Sequence, residues 1–281
     1  MATAKLRLPL DRRWWGLAAA VALGCSGKDS DDDGLSDREE AALGLDPADP
    51  DSDDDTLKDG AEGDLGTDPA VYDTDADGYG DGDEVRESTD PLDPSSVIYT
   101  GGWPYYAKKG SIAEPTETLA AVGVRIPRVR TLVDQFGEEV DPYDFYNADK
   151  PVVIDISAQW CFPCQQVTSW LGGEEDPLLL GTIWPAGPDV IARGDVYWLT
   201  ILAEDKNHLI AHVETPAEWA AAFPSDAVAV LADDEYALTD FVGITSWPTL
   251  VLLEPDLTVS LLDRTDPFAA VLIELAARYP E

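Results

Sequence analysis

Residues 157–167, SAQWCFPCQQV, hold two of the chain's three cysteines, Cys161 and Cys164, two residues apart behind Trp160 and around Pro163. Such a pair serves as a redox dithiol, as half of a metal site, or as a structural disulfide. A bridge closing so short a loop stabilises a fold little, so a purely structural role leaves the pair poorly explained. His208 and His212 are the chain's two histidines. With the cysteines they would number four zinc ligands, but their spacing matches no zinc module.

The second constellation is acidic. DSDDDGLSDREE starts at Asp29, DSDDDTLKDGAE at Asp51 and DTDADGYGDGDE at Asp73, and Asp-Pro recurs in phase at 46–47, 68–69 and 90–91. The period is 22 residues. The first and third copies satisfy D-x-D-x-D-G-x5-E, the calcium-loop pattern. Aspartates at positions 1, 3 and 5 present hard oxygens on one side of a tight turn, glycine at 6 permits the turn, and the last glutamate closes the shell. The expected ligand sets are Asp29, Asp31, Asp33, Asp37 and Glu40; Asp51, Asp53, Asp55, Asp59 and Glu62; and Asp73, Asp75, Asp77, Asp81 and Glu84. Thr56 replaces the glycine of the second loop, which should therefore be weaker or differently turned. No entering helix fits before the first loop, and Asp-Pro breaks any long helix. Only short helical turns such as 37–43 should follow each loop. Residues 29–94 carry 26 acidic side chains against Arg38, Lys58 and Arg86, well over half of the chain's net −38. That charge repels phosphates and argues against nucleic acid as a partner. Without metal the segment should be disordered, and with it compact.

The remaining elements position these groups. Residues 1–13 are basic, 14–23 (WWGLAAAVAL) are apolar, and Gly24–Cys25 follow. This is the pattern of an export signal, too short to span a bilayer. The domains expected are a signal peptide at 1–24, calcium repeats at 25–96 and a globular domain at 97–281. In the last, 128–137, 151–157, 195–204 and VAVLAD read as strands. Residues 162–172, 215–223 (Thr215 as N-cap, Pro216 first), 235–243 and the C-terminal DPFAAVLIELAARY read as helices. PTLVLLEPDLTVSLLD reads as two strands joined by a Pro-Asp turn. Alternating strands and helices give an α/β fold with a mainly parallel sheet covered on both faces. Cys161 then opens a helix, whose N-terminus lowers a thiol pKa from ~8.5 toward ~7 or below and makes Cys161 the attacking sulfur. Cys164, one turn in, resolves.

Three resemblances follow from these residues. ALGC at 22–25 resembles a bacterial lipobox, which implies lipid on Cys25. Residues 29–94 resemble thrombospondin type-3-like calcium repeats, found as stalks in bacterial surface proteins. VVIDISAQWCFPCQQV, with VGITSWPTLVLL downstream and RVRTLVDQFGEEVDPYDF upstream, resembles the TlpA/redoxin branch of the thioredoxin superfamily over about 120–281. That resemblance implies a thioredoxin fold, a central mixed sheet with helices on both faces, behind a mostly irregular repeat stalk. It implies Asp155 as a buried carboxylate relaying the proton of Cys164, Trp160 as a lid over the sulfurs, and a cis bond placing Pro248 against Cys161. Phe162–Pro163 departs from the commoner Gly-Pro, which bears on potential and partner. The implied protein is an extracytoplasmic, lipid-anchored thiol-disulfide oxidoreductase of the bacterial cell envelope, periplasmic or at the cell surface. It would act as a reductant on protein disulfides and be re-reduced by a membrane electron donor, with structural Ca²⁺ and no organic cofactor. The alternative is a calcium-dependent adhesion or scaffold protein whose thioredoxin-like module is redox-silent.

Overall fold

The computed structural model describes residues 27–130, 132–146, 150–174, 178–266 and 268–280. The expected signal segment and Cys25 lie outside them. The chain divides into two compact units, one reaching to Asp75 and including Gly80–Gly82, the other holding Ala76–Tyr79 and everything from Asp83 onward.

The repeats form loops, each followed by a seven-residue helix: α1 (Asp37–Leu43), α2 (Asp59–Leu65) and α3 (Asp81–Glu87). The first two end at Gly44 and Gly66, at φ 88° and 94°. Glycine tolerates that left-handed conformation, and the cap N–H reaches back to Glu40 or Glu62. Asp-Pro follows directly, so no helix outgrows two turns.

The division falls inside the third repeat, ahead of the expected 96/97 boundary. Tyr79 stands where Leu35 and Leu57 stand in the earlier loops. It is buried in the core of the second unit, and its hydroxyl donates to the Trp103 carbonyl at 2.8 Å.

The second unit is built on a six-stranded sheet. Its strands are β1 (Val133–Asp134), β2 (Val152–Ala158), β3 (Tyr197–Glu204), β4 (Val228–Ala232), β5 (Thr249–Leu253) and β6 (Val259–Leu261), in the order β1-β4-β3-β2-β5-β6. β2, β3 and β4 run parallel; β1, β5 and β6 pair antiparallel. The expected mainly parallel sheet is therefore mixed, as the thioredoxin resemblance implied. The expected strand at 128–137 is mostly a turn, for Val133 bridges back to Glu139 and two residues alone join the sheet.

Every residue of β2 is buried, which is why it reads as an unbroken apolar run. Its side chains alternate between two cores. Val153, Trp198, Val230 and Leu252 face one layer with α4 (Phe162–Leu171), α5 (Leu180–Ile183), α6 (Gly187–Ala192), α7 (Thr215–Ala222) and α9 (Ala269–Arg278). Ile154, Ile156, Leu199, Leu231 and Val251 face the other, with α8 (Ala237–Val242) and the 97–145 chain. α5 and α6, which the sequence reading did not anticipate, seat Trp184, fully buried against Trp170. α7 begins one residue earlier than expected. Glu214 is its N-cap, and the Thr215 hydroxyl instead accepts from the His212 N–H.

Candidate functional site

β2 ends at Ala158, and Cys161 is itself the N-cap of α4, with Pro163 in the first turn. Cys161 and Cys164 form a disulfide with Cα atoms 5.3 Å apart, and both residues are buried. The Cys164 N–H donates to Cys161 Sγ at 3.2 Å. Cys161 thus sits at the N-terminus of α4, where the first backbone N–H groups have no acceptor within the helix.

Asp155 lies three residues before the end of β2, fully buried, in register with Thr200 and Leu250. It accepts from the Ser157 hydroxyl at 2.7 Å and, at longer range, from Trp198 Nε1 and Thr200 Oγ1. Burial pushes its carboxyl up to about 6 against these bonds.

The Trp160 indole donates to Glu204 Oε2 at 2.7 Å, stacks on His208 with ring centroids 4.3 Å apart, and meets the edge of Trp247 at 6.1 Å. Trp247–Pro248 is a cis peptide leading into β5. The Gln159 carboxamide oxygen accepts from the Lys206 N–H, fastening the 205–212 loop to the turn before the cysteines. Glu204, His208 and Trp247 were absent from the expected redox set. The register Ala158↔Glu204 makes Glu204 and the redox turn neighbours, and Trp160 needed an acceptor. The three-residue groups with metal-binding geometry among the described residues contain aspartates and glutamates alone, so His208 and His212 join no such group with the cysteines.

In the first unit, Asp29, Asp31 and Asp33 bring one oxygen each within 4.8 Å of one another, as do Asp51, Asp53 and Asp55. Backbone N–H groups fix them: Asp32 N–H donates to Asp29 at 2.8 Å and Leu35 N–H to Asp33 at 2.7 Å, with Leu57 to Asp55 matching at 2.7 Å. The second loop is not differently turned. Thr56 adopts φ 85° where Gly34 has 111° and Gly78 has 106°.

Two further groups take residues from successive repeats. Asp33 and Glu40 group with Asp59 of the next repeat, and Asp55 and Glu62 with Asp81. Asp37 lies in no such group. It accepts from the Ser30 hydroxyl at 2.7 Å and pairs with Lys28 at 3.1 Å, because no repeat precedes it. In the third loop Asp73, Asp75 and Asp77 are half-buried, while Asp81 and Glu84 are buried.

The buried carboxylates suit a divalent cation. Both Glu40 carboxylate oxygens, Asp31 Oδ2, Asp33 Oδ2, Asp53 Oδ2 and Glu62 Oε2 are buried with no hydrogen-bond partner among the described residues. Burial and neighbouring aspartates push Glu40 up to about 7 and Glu62 up to about 8. A dication there would remove both costs at once.

No helix among the described residues is long and apolar enough to cross a membrane. No curated protein matches the chain. Residues 29–50 and 73–94 match the family described as "Bacterial TSP3 repeat". Similar solved structures include a putative thiol:disulfide interchange protein DsbE from Chlorobium tepidum, 21% identical, covering 56% of this chain and 98% of that one at a TM-score of 0.39. Another is the thioredoxin domain of a thiol-disulfide oxidoreductase from Bacteroides vulgatus, 16% identical, covering 57% and 99% at 0.37. A third is the peroxidoxin BcpB from Mycobacterium tuberculosis, 15% identical, covering 56% and 97% at 0.38. The mixed sheet, the CxxC opening α4 and the cis-proline leading into β5 make the second unit a thioredoxin-like α/β fold behind TSP3-type repeats.

Proposed function

We propose that this chain is a lipid-anchored, extracytoplasmic thiol-disulfide oxidoreductase that reduces protein disulfides, carried behind calcium-binding repeats. The observation that supports it most is the Cys161–Cys164 pair at the start of α4, with the Cys164 N–H on Cys161 Sγ. In this reading the Cys161 thiolate attacks one sulfur of a substrate disulfide. A mixed disulfide forms and the other substrate sulfur leaves as a thiolate. Cys164 gives its proton to Asp155 and attacks Cys161, so the substrate leaves with both thiols and the protein keeps the disulfide. A membrane electron donor returns two electrons to the pair. Trp160 and Pro248 shape the surface the substrate meets, and the export signal with Cys25 supports the envelope location. Ca²⁺ occupies the acidic groups of the repeats.

The test is the reduction potential of the pair together with insulin reduction. Cys161→Ser abolishes turnover, whereas Cys164→Ser accumulates mixed disulfides with substrate. Alkylation of the reduced protein at pH 6–7 labels Cys161 first. Faster labelling of Cys164 would overturn the roles, and a pair with no insulin-reducing activity would favour a redox-silent module.

A further inference from the structure

We propose that the hairpin running from Asp205 to Ala211 is a specificity arm of the redox site, selecting protein disulfides whose cysteine is flanked by apolar side chains. It deepens the function proposed above and rests on it. The arm is a tight turn at the end of β3. The Asp205 N–H donates to the Leu209 carbonyl at 2.7 Å, the Ala211 N–H donates to the Ala203 carbonyl at 2.9 Å, and Ile210 bridges back to Glu204. The buried Asp205 carboxylate accepts from the N–H groups of Asn207 and Leu209, at 2.7 and 3.0 Å. These bonds fix the backbone before any substrate arrives, so docking on it has little ordering cost. The turn carries Asp205, Lys206, Asn207 and His208, and then Leu209 and Ile210, which are 58% and 43% exposed. Two adjacent large apolar side chains on a fixed backbone, both left in water, add nothing to the core. Phe162, exposed between the two cysteines, puts a third apolar side chain at the sulfurs themselves.

Gln159 ties this arm to the cysteines. It stands two residues before Cys161, and all four of its polar groups serve the join. Its N–H donates to the Glu204 carbonyl at 2.8 Å, and its carboxamide oxygen accepts from the Lys206 N–H at 2.8 Å. Its carboxamide nitrogen donates to Glu218 of α7 at 3.1 Å, and its carbonyl accepts from Gln165 of α4 at 2.8 Å. Lys206 Nζ donates to the same Glu218 oxygen at 2.9 Å. The tip of the arm is fastened at the next residue of the redox turn, for His208, at φ 61°, lies on the Trp160 ring. A left-handed backbone is uncommon outside glycine, and here it goes with the imidazole stacked on the indole. Trp160 neighbours Cys161 and His208 neighbours Leu209, so the stacked rings join the attacking sulfur to the apolar pair. A chain whose disulfide reaches Cys161 thus brings its flanking residues to the arm. The charges around it are acidic, Glu204, Asp205 and Glu218, with Lys206 engaged by Glu218, and they disfavour acidic flanks.

Single-turnover reduction by the full chain, reduced beforehand and freed of reductant, tests this. The two electrons of the dithiol convert one substrate disulfide into two thiols. The probes are two disulfide-linked peptide dimers, one with Leu and Val beside the cysteine and one with Ser at both places, together with hydroxyethyl disulfide, which has no flanks. The apparent Kd for the Leu/Val dimer should lie about tenfold below that for the Ser dimer, the worth of roughly one apolar side chain leaving water, with the limiting rates equal. Leu209→Ser/Ile210→Ser should raise the Leu/Val value to the Ser value. Gln159→Ala, which unties the arm, should raise it too. Wild-type protein with one Kd for both dimers, or a preference that survives in the double variant, overturns the proposal. So does a preference lost only together with a shift in the reduction potential, which would place the effect at the cysteines. Failure to reduce even hydroxyethyl disulfide overturns the oxidoreductase reading itself.

Discussion

Asp155 is a carboxylate inside a sheet, and its energetics have a definite sign. Its ordinary pKa near 3.8 rises to about 6 in the folded chain because burial penalises the charged form. The folded state thus holds this proton more tightly than the unfolded state. Stability from this group is greatest below about pH 4, falls as pH rises toward 6, and is flat above it. Asp155→Asn removes that dependence. Between pH 3.5 and 7.5 the stability difference should move in favour of the variant by on the order of 2–3 kcal/mol, from a gap of about two pKa units. Denaturant unfolding of both oxidised proteins at the two pH values measures it; a difference that does not change with pH would mean that Asp155 titrates alike in the folded and unfolded chain. The burial was legible, since an aspartate inside VVIDIS has nowhere polar to point. Its partners were not, because Trp198 and Thr200 lie on another strand and their side of it follows from a register no single strand reveals.

Elements with local signals or one long period were the most legible, whereas the short helices α5 and α6 carried neither. The turn at 37–43 is α1 to the residue, because its capping box of Ser36 and Glu39 and its closing Gly44 are local signals. β2, β3 and α4 fell within a residue or two of expectation for the same reason: each is a long run of one period. β1 was over-read because a hairpin turn at Gly137 interrupts an apolar stretch that continues as something else. The second loop shows a subtler limit. Thr56 was expected to leave the loop weaker or differently turned, and the loop turns as its neighbours do, with Thr56 at φ 85° and its N–H donating to Asp51 Oδ2 at 3.0 Å. A β-branched residue there costs about 1–2 kcal/mol relative to glycine. Thr56→Gly should tighten Ca²⁺ binding by the second loop about fivefold or more, at 1.4 kcal/mol per tenfold. Calorimetric titration checks it, and unchanged affinity would show that the left-handed threonine is not strained.

At the scale of the molecule, the sequence marks two compositions, and the division into compact units falls at another place. The acidic block ends near residue 94, whereas Tyr79 already belongs to the second unit's core with Tyr99 and Trp103. Composition averages over a window, and one aromatic inside an acidic loop does not move the average. Charge and chemistry nevertheless stay apart. Cys161, Cys164, Asp155 and Trp160 all sit in the second unit, and none joins an acidic group with metal-binding geometry among the described residues. In the proposed function their chemistry would depend on a helix terminus and on a buried carboxylate, both supplied by the β2–α4 segment itself. Calcium should therefore act on the order of the repeats and leave the redox step alone. In 1 mM Ca²⁺, within the ~10⁻⁴–10⁻³ M range of extracellular modules, residues 29–75 should resist proteolysis, and in EGTA they should be cut. The repulsion of their uncompensated carboxylates returns once the ions leave. Insulin reduction by the same full-length sample should proceed at nearly the same rate in both buffers. A rate that falls severalfold in EGTA, with the second unit still resistant to protease, would mean that the repeats act on the redox turn itself, and the separation of charge from chemistry would have to be abandoned.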